Sequence, residues 1–170
     1  MNRTLPERQH AVKEESAANG VRPARSEAGD AFTSFVVQVA LLGGEFTSTG
    51  EHLAALGGQT LARWLVLDAA EDGPASVAQI ARRRGMARQS VQRVADLLVR
   101  DGLAVYADNP QHQRAKLLTP TAQGRRVLAT ISIAQKSWAD ALGAQIGEAD
   151  LRSASALLDR IQRQVTQASL

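Results

Sequence analysis

The chain has 170 residues, of which 44% are hydrophobic and only 4% aromatic, and its formal net charge is +3. This length and composition suit one domain with a modest apolar core. Cysteine is absent, which excludes disulfides, thiolate nucleophiles and thiol-based redox sensing.

Residues 1–28 form the first segment, which mixes charged residues with Ala, Pro and Gly and shows no apolar period. We therefore predict a mostly disordered N-terminal arm. Two interpretations of this arm remain open: a solvated tail, or a basic arm in which Arg22 and Arg25 contact DNA or a partner subunit.

Two helices are predicted next. Apolar residues recur at helical spacing over residues 32–46, and the sequence TSTG at residues 47–50 is expected to interrupt that helix. A second helix is predicted over residues 61–70, with Thr60 as its N-cap, and the sequence EDGP at residues 71–74 ends it.

Residues 76–100 carry the most informative pattern, in which a short helix, a glycine turn and a second helix follow one another. The hydroxyl of Ser76 can cap the first helix, and Gly85 supplies the left-handed residue that a tight turn needs. The second helix has one apolar stripe, formed by Val91, Val94, Ala95 and Leu98. Its polar residues therefore face outward, as in the recognition helix of a helix-turn-helix DNA-binding motif.

A β-hairpin is predicted directly after this helix. Two short apolar runs, at residues 103–107 and 115–118, flank a polar tip at Asn109-Pro110. A hairpin in this position is typical of the wing of a winged helix-turn-helix domain.

These segments together resemble the MarR family of winged helix-turn-helix regulators over residues 60–128. The sequence TLARWLVL at residues 60–67 is similar to the family's T-x-x-Q-W-x-V-L, VAQIA at residues 77–81 to its V-A-E-L-A, and RQSVQR at residues 88–93 to its R-Q-S-V-x-R. The match continues in order through Gly102-Leu103, Asn109-Pro110, Arg114-Ala115-Lys116 and Thr121-x-x-Gly124-Arg125.

Two positions depart from the family pattern. Ala87 stands where the family usually has a Ser or Thr that caps the recognition helix, and the loss of such a cap typically costs ~1 kcal/mol. His112 stands where the family has an acidic residue in the wing, so Arg114 lacks its usual carboxylate partner.

The C-terminal third is predicted to be helical. Thr121 can cap a helix of about six turns that ends between residues 143 and 147, and a last helix follows with an apolar stripe at heptad spacing. A small domain has too little core to cover this stripe, so we expect a partner subunit, and the family resemblance implies a two-fold dimer. The residues predicted at the dimer interface are Phe32, Leu151, Ala154, Leu158, Ile161 and Val165.

The predicted fold is therefore mainly α with a small β-wing. After the arm at residues 1–28, an N-terminal dimerisation helix region spans residues 29–58 and a winged helix-turn-helix DNA-binding domain spans residues 59–120. C-terminal dimerisation helices occupy residues 121–170.

The positive charge is concentrated where the motif predicts DNA. Residues 76–116 hold eight basic and three acidic side chains, whereas residues 31–75 hold one and five. A localised basic surface favours binding to a phosphate backbone. The resemblance implies a dimeric repressor on a pseudo-palindromic operator in double-stranded DNA. The predicted DNA contacts are Ser76, Arg82, Arg83, Arg88, Gln89, Ser90, Gln92, Arg93, Arg114 and Lys116.

The resemblance also implies a small effector, because in the family an aromatic or phenolic anion binds beside the dimerisation helices and releases DNA. The alternatives are core packing for the aromatic residues among the candidates, a surface position at a helix start for His52, and a solvated or inter-subunit charge for Arg63. The candidate residues for this pocket are Phe35, Gln38, His52, Arg63 and Trp64.

Other classes of protein are disfavoured by the sequence. It has no Ser-His-Asp or Cys-His arrangement and no phosphate-binding glycine loop, so we expect no enzyme and no cofactor. The three histidines, His10, His52 and His112, match no metal-binding spacing. No apolar stretch approaches the ~20 residues of a membrane span, so we expect a cytoplasmic protein. The alternative function is a winged-helix protein-interaction module, which would not need the basic charge of residues 76–116.

Overall fold

The structure is a computed structural model that describes residues 25–110 and 115–168. The predicted arm therefore lies mostly outside the described residues. The chain divides into two compact units, residues 1–41 and 42–170. The elements in chain order are α1 (Glu27–Leu56), α2 (Leu61–Glu71), β1 (Ala75–Ser76), α3 (Val77–Arg84), α4 (Arg88–Arg100), β2 (Ala104–Ala107), β3 (Leu117–Pro120), α5 (Ala122–Ile146) and α6 (Glu148–Gln167). The mainly α fold with a small β-wing is confirmed.

Helix α1 is longer than predicted at both ends: it begins at Glu27, inside the predicted arm, and continues through residues 47–50 to Leu56. The predicted interruption was wrong. The Thr47 hydroxyl donates to the Gly43 carbonyl oxygen at 2.8 Å and so stays within the helix. A Cβ at Gly50 would lie 2.9 Å from Leu61 Cδ1. This glycine therefore marks a close approach of α1 to the start of α2.

The caps predicted for α2 and α3 are confirmed. The Thr60 side chain accepts from the Arg63 backbone N–H. The Ser76 hydroxyl accepts from the Gln79 backbone N–H, and the Gln79 side chain accepts in return from the Ser76 N–H, which completes a capping box. Gly85 ends α3 in the left-handed conformation with φ 61°. The short α3 is therefore fixed at both ends before α4 begins.

The core of this part of the chain lies where α2, α3, α4 and the sheet meet. Large apolar side chains from each of these elements are fully buried in it, so α4 can present only its opposite face to solvent. The fully buried members of this core include Val66, Leu67, Ile80, Val91, Leu98 and Leu118.

The wing is a three-stranded antiparallel sheet in the order β1-β3-β2. Strand β2 pairs with β3 with Tyr106 opposite Leu118. The predicted second strand, residues 115–118, lies two residues too early, because β3 runs from Leu117 to Pro120. Strand β1 was not predicted. Its two residues are too short a segment to show an alternating pattern and are fixed only by pairing, with Ala75 opposite Leu118.

The two C-terminal helices lie where the sequence predicts them. Thr121 caps α5 by accepting from the Gly124 backbone N–H at 3.1 Å. A Cβ at Gly124 would lie 2.0 Å from the Leu103 carbonyl oxygen, so α5 can begin this close to the wing only with glycine there. Helix α6 has no buried residue. No helix within residues 25–110 and 115–168 is long and apolar enough to span a membrane.

Candidate nucleic-acid interface

Helix α4 is oriented by one buried face. Val91, Ala95 and Leu98 on that face are fully buried, and α4 packs against α2, α3 and β2. Residues on the other side of a helix must then point outward. The outward residues are those predicted to contact DNA, and all are exposed: Arg88, Gln89, Ser90, Gln92 and Arg93.

The start of α4 lacks a side-chain cap, as the sequence predicts. Ala87 occupies the N-cap position with φ −64° and ψ 133°, and no side-chain hydrogen bond closes the first turn. The first N–H groups of α4 are therefore left for water or for an anion, since a helix N-terminus carries partial positive charge.

Four predicted DNA contacts line a single cleft of about 380 Å³ between α3, α4 and the wing. They are Ser76, Arg88, Gln92 and Lys116. Arg88 also lines a second cleft, of about 420 Å³, together with Arg82. The fold thus brings together residues from three elements that are up to 40 positions apart in the sequence.

The cations of this surface differ from neighbouring arginines in having no carboxylate partner. Arg84 at the end of α3 pairs with Asp68 on α2 at 2.5 Å and is half-buried, whereas Arg82 and Arg83 are exposed. Among the described residues, the exposed cations with no ion pair on this surface are Arg82, Arg83, Arg88, Arg93 and Lys116.

Ser76 was predicted both as the cap of α3 and as a DNA contact, and the structure shows it as a buried cap residue. Its hydroxyl donates to the Gln79 side-chain oxygen at 2.9 Å, while it accepts from the Gln79 N–H at 3.4 Å. The hydroxyl hydrogen is therefore used within the capping box. The signal for this box, Ser followed three residues later by Gln, is present in the sequence.

Gln92 belongs to a polar cluster with Asp96 and Tyr106 that the sequence analysis missed. The Gln92 amide donates to Asp96 Oδ1 and to the Tyr106 hydroxyl, both at 2.9 Å. The Tyr106 hydroxyl donates to Asp96 Oδ1 at 2.7 Å. Burial, and then the hydrogen bond to Asp96, raise the pKa of Tyr106 to about 12. Only the spacing of four between Gln92 and Asp96 could have signalled their contact.

Arg63, a predicted ligand contact, is bound to other residues of its own chain. Its Nη1 lies 2.9 Å from Asp101 Oδ2, and its Nε donates to Gln59 Oε1 at 2.6 Å. Asp101 is the C-cap residue of α4. Hydrogen bonds from Arg100 and from Arg63 hold the pKa of Asp101 below its usual value. The interpretation of Arg63 as a solvated charge is therefore wrong.

A cleft of about 650 Å³ lies beside this ion pair. Its lining includes Gly57, Gly58 and Thr60 from the connection between α1 and α2, and Gln123 and Val127 from the start of α5. Arg63 and Asp101 both line it. The guanidinium of Arg63 and the C-terminal end of α4 therefore line the same cleft.

The other predicted ligand residues lie in different surroundings. Trp64 packs against the winged-helix core, and its Nε1 is buried without a hydrogen-bond partner among the residues that the structure describes. His52 is exposed near the C-terminal end of α1 and not at a helix start, which corrects that interpretation. Phe35 and Gln38 lie in the unit formed by residues 1–41, where Phe35 stacks on Phe32 with ring centroids 6.4 Å apart.

Arg114, the predicted wing contact, lies outside the described residues, as does His112. The described part of the wing contributes Lys116, which is exposed. The role of Arg114 stays a prediction from the sequence.

The residues predicted at a dimer interface are mostly exposed in the single chain. Leu151, Leu158 and Val165 on α6 are 39%, 45% and 59% exposed, and Phe32 on α1 is 47% exposed. Ala154 is exposed as well, whereas Ile161 is half-buried.

Comparison with known proteins agrees with this geometry. A family model described as MarR family matches residues 58–115. An uncharacterised protein of Mycobacterium tuberculosis is 45% identical over 103 residues, which are 61% of this chain and 72% of the relative.

Solved structures share the fold. The crystal structure of a MarR family transcription regulator has a TM-score of 0.73 at 18% identity and covers 83% of this chain and 94% of its own. Staphylococcus aureus MarR in complex with salicylate and kanamycin has a TM-score of 0.65 at 17% identity, with 84% and 94% covered. The order of elements and the buried stripe of α4 agree with these matches: residues 58–115 are identified as a MarR-family winged-helix domain, and the chain has the fold of MarR family transcription regulators.

Proposed function

We propose that this protein is a sequence-specific DNA-binding repressor that acts as a homodimer on a pseudo-palindromic operator. The observation that carries the proposal is the group of unpaired cations around α4. Cations that are not neutralised by the protein are available to phosphates, whose contacts dominate affinity and release counterions. Arg82, Arg83 and Lys116 flank the helix, while Arg88 and Arg93 lie on its outward face.

The outward face of α4 supports the proposed sequence specificity. A recognition helix in the major groove contacts base edges with residues of its first turns. Gln89 and Arg93 are exposed there, and both side chains can make bidentate contacts to a single base. The uncapped N–H groups at the start of α4 are suited to a phosphate.

The exposed stripe on α6 supports the homodimer. Apolar residues at heptad spacing on a helix with no buried residue need a partner helix to leave water. A two-fold dimer holds two recognition helices about one DNA turn apart, so the operator repeats the half-site in inverted order.

The cleft beside Arg63 supports a small aromatic or anionic effector. A ligand carboxylate that binds the Arg63 guanidinium competes with the Asp101 carboxylate, which is its present partner at 2.9 Å. Asp101 is the C-cap residue of α4. Replacement of its carboxylate by that of the ligand would therefore release the C-terminal end of α4 from Arg63 and allow the helix to shift. S. aureus MarR has been solved with salicylate, an aromatic carboxylate. Such a ligand releases DNA only if it binds more tightly to an arrangement of the two winged-helix domains that does not fit the operator.

DNA binding is tested with isotherms on a duplex selected from a random library and on unselected duplex, each at several salt concentrations. Gln89→Ala or Arg93→Ala should reduce the difference in binding free energy between the selected and the unselected duplex. The expected reduction is ~1 to 3 kcal/mol for each base that the variant no longer contacts. Arg83→Ala should weaken both equally and reduce the salt slope by about two for a dimer. Arg114→Ala is expected to act as Arg83→Ala does.

The matched control is Lys136→Ala, which removes one positive charge from α5, where Lys136 pairs with Asp140. It should leave the salt slope unchanged. If every variant keeps the wild-type salt slope and the wild-type difference in affinity between the two duplexes, this surface does not bind DNA. That result would favour the protein-interaction module.

The effector is tested with salicylate as the probe. Salicylate should raise the thermal midpoint and lower DNA affinity together, and Arg63→Ala should remove both responses. Asp101→Asn, which keeps the shape and removes the competing charge, should strengthen salicylate binding. Equal stabilisation of the wild type and the Arg63 variant would show that this cleft is not the effector site.

A further inference from the structure

The cluster of Gln92, Asp96 and Tyr106 fixes the direction of one amide on the recognition helix. A carboxylate can only accept hydrogen bonds, so the Gln92 group that faces Asp96 Oδ1 must be the NH₂. The Tyr106 hydroxyl gives its own hydrogen to Asp96 and therefore faces Gln92 with a lone pair. Both contacts demand the same orientation of the amide.

The donors of Gln92 are therefore used within the protein. Nε2 carries two hydrogens, and it makes two contacts, one to Asp96 and one to Tyr106. Within residues 25–110 and 115–168, no group donates to Gln92 Oε1. Gln92 is exposed and lines the cleft between α4 and the wing. What it can offer to a ligand on this surface is a carbonyl acceptor.

The donor that holds this arrangement stays protonated over the working range of pH. The pKa of Tyr106 is raised to about 12 by burial and by its contact with Asp96. The cluster also joins two elements, since Gln92 and Asp96 lie one turn apart on α4 and Tyr106 comes from β2. The wing thus sets the hydrogen-bonding character of a residue on the recognition helix.

The consequence concerns which base Gln92 can read. A glutamine with a free amide usually makes a bidentate contact with adenine, donating to N7 and accepting from N6. A carbonyl acceptor alone satisfies any base that presents an amino group in the major groove, which means adenine N6 or cytosine N4. Guanine and thymine present acceptors at the same edge, which repel a carbonyl oxygen.

We propose that Tyr106 and Asp96 are specificity-determining residues, which restrict Gln92 to the role of an acceptor and so make it select adenine or cytosine over guanine or thymine. This inference rests on the proposed DNA-binding function. Tyr106 and Asp96 act through Gln92 and need no contact with a base themselves.

The experiment selects binding sites from a library of randomised duplexes for the wild-type dimer and for variants. The position read by Gln92 is the one at which Gln92→Ala abolishes base preference. At that position the wild type should bind adenine and cytosine duplexes within about threefold of each other. It should bind guanine and thymine duplexes on the order of tenfold more weakly.

Tyr106→Phe keeps the ring and removes the hydroxyl, which frees one amide hydrogen of Gln92. The ratio of adenine to cytosine binding should then rise by about fivefold or more. Asp96→Ala, at an exposed position, should change the ratio in the same direction. Lys116→Ala in the same cleft is the matched control and should weaken all four duplexes equally.

Thermal midpoints show that each variant is folded, and Asp96→Ala provides the readout if the substitution of Tyr106 harms the fold. A wild type that prefers adenine alone overturns the inference, and so does an unchanged base profile in folded Tyr106→Phe and Asp96→Ala variants. If no duplex is enriched by the wild type, the proposed function itself fails, and the two failures are thus distinguished.

Discussion

The winged helix-turn-helix part covers its apolar residues within one chain, whereas helix α6 leaves its apolar stripe in water. Leu98 on the recognition helix is fully buried, and Leu158 on α6 is 45% exposed. Both helices are amphipathic, and both follow directly from the periodicity of the sequence. The difference lies in what surrounds them, because two helices and the wing enclose α4, while α6 packs mainly on α5. An amphipathic pattern therefore predicts a buried face without stating which chain will bury it.

The largest effect expected from this difference is on assembly. If the proposed dimer forms through α6, removal of residues 148–170 should abolish it and sharply weaken the proposed DNA binding, because each half-site would then be bound by a separate chain. Light scattering measures the mass, and isotherms on the selected duplex measure affinity. The truncated chain should still unfold with the thermal midpoint of a folded monomer, since α6 contributes no buried residue to the winged part.

A point substitution separates the stripe from the rest of α6. Leu158→Glu should dissociate the dimer, because it places a charge in the predicted seam. Ser153→Glu, off the stripe on the same helix, is the matched control and should leave the mass unchanged. A Leu158→Glu protein that remains a stable dimer contradicts the assignment of this face.

A smaller effect, on folding, is expected from glycines of α5. Gly124→Ala should destabilise the winged part by about 2 kcal/mol or more, because the new Cβ would lie 2.0 Å from the Leu103 carbonyl oxygen. Gly143→Ala in the same helix meets no atom within 4 Å and should stabilise the helix by about 0.5 to 1 kcal/mol. Chemical denaturation measures both. Effects of the same sign would show that the close contact at Gly124 does not govern stability.

The smallest effect is local to the winged part and should not depend on the dimer. Tyr106 is the only tyrosine in the chain, so its ionisation can be followed by ultraviolet absorbance. The pKa of Tyr106 is raised above the usual value of 10.0, so on raising the pH Tyr106 ionises in the unfolded chain before it ionises in the folded chain. Its contribution to the free energy of unfolding is therefore complete below pH 10 and is lost as the pH rises towards 12.

Asp96→Ala should lower the midpoint of this titration, because it removes a hydrogen bond and a nearby negative charge that both raise the pKa of Tyr106. A midpoint near that of free tyrosine in the wild type would show that the cluster does not persist in solution. The same midpoint is expected at protein concentrations where the dimer does and does not form.

The sequence alone determined the elements whose signals are local. The caps at Thr60, Ser76 and Thr121, the turn at Gly85 and the absent cap at Ala87 were all predicted correctly, because each depends on one residue and its neighbours in the chain. The outward face of α4 followed from its buried stripe by helical geometry. These features were sufficient for the fold and for the family.

Tertiary structure decided what depends on residues distant in the chain. Gly50 looked like a helix breaker, yet it is the point where Leu61 packs against α1. Strand β1 exists only because β3 pairs with it. Arg84 and Arg63 could not be separated from the unpaired arginines by composition, since their partners Asp68 and Asp101 are 16 and 38 residues away. Contacts between residues distant in the chain distinguish side chains that have equivalent local sequence patterns. The sequence therefore shows which charged side chains are present, and the tertiary structure determines which of them have no partner within the chain and can bind a ligand.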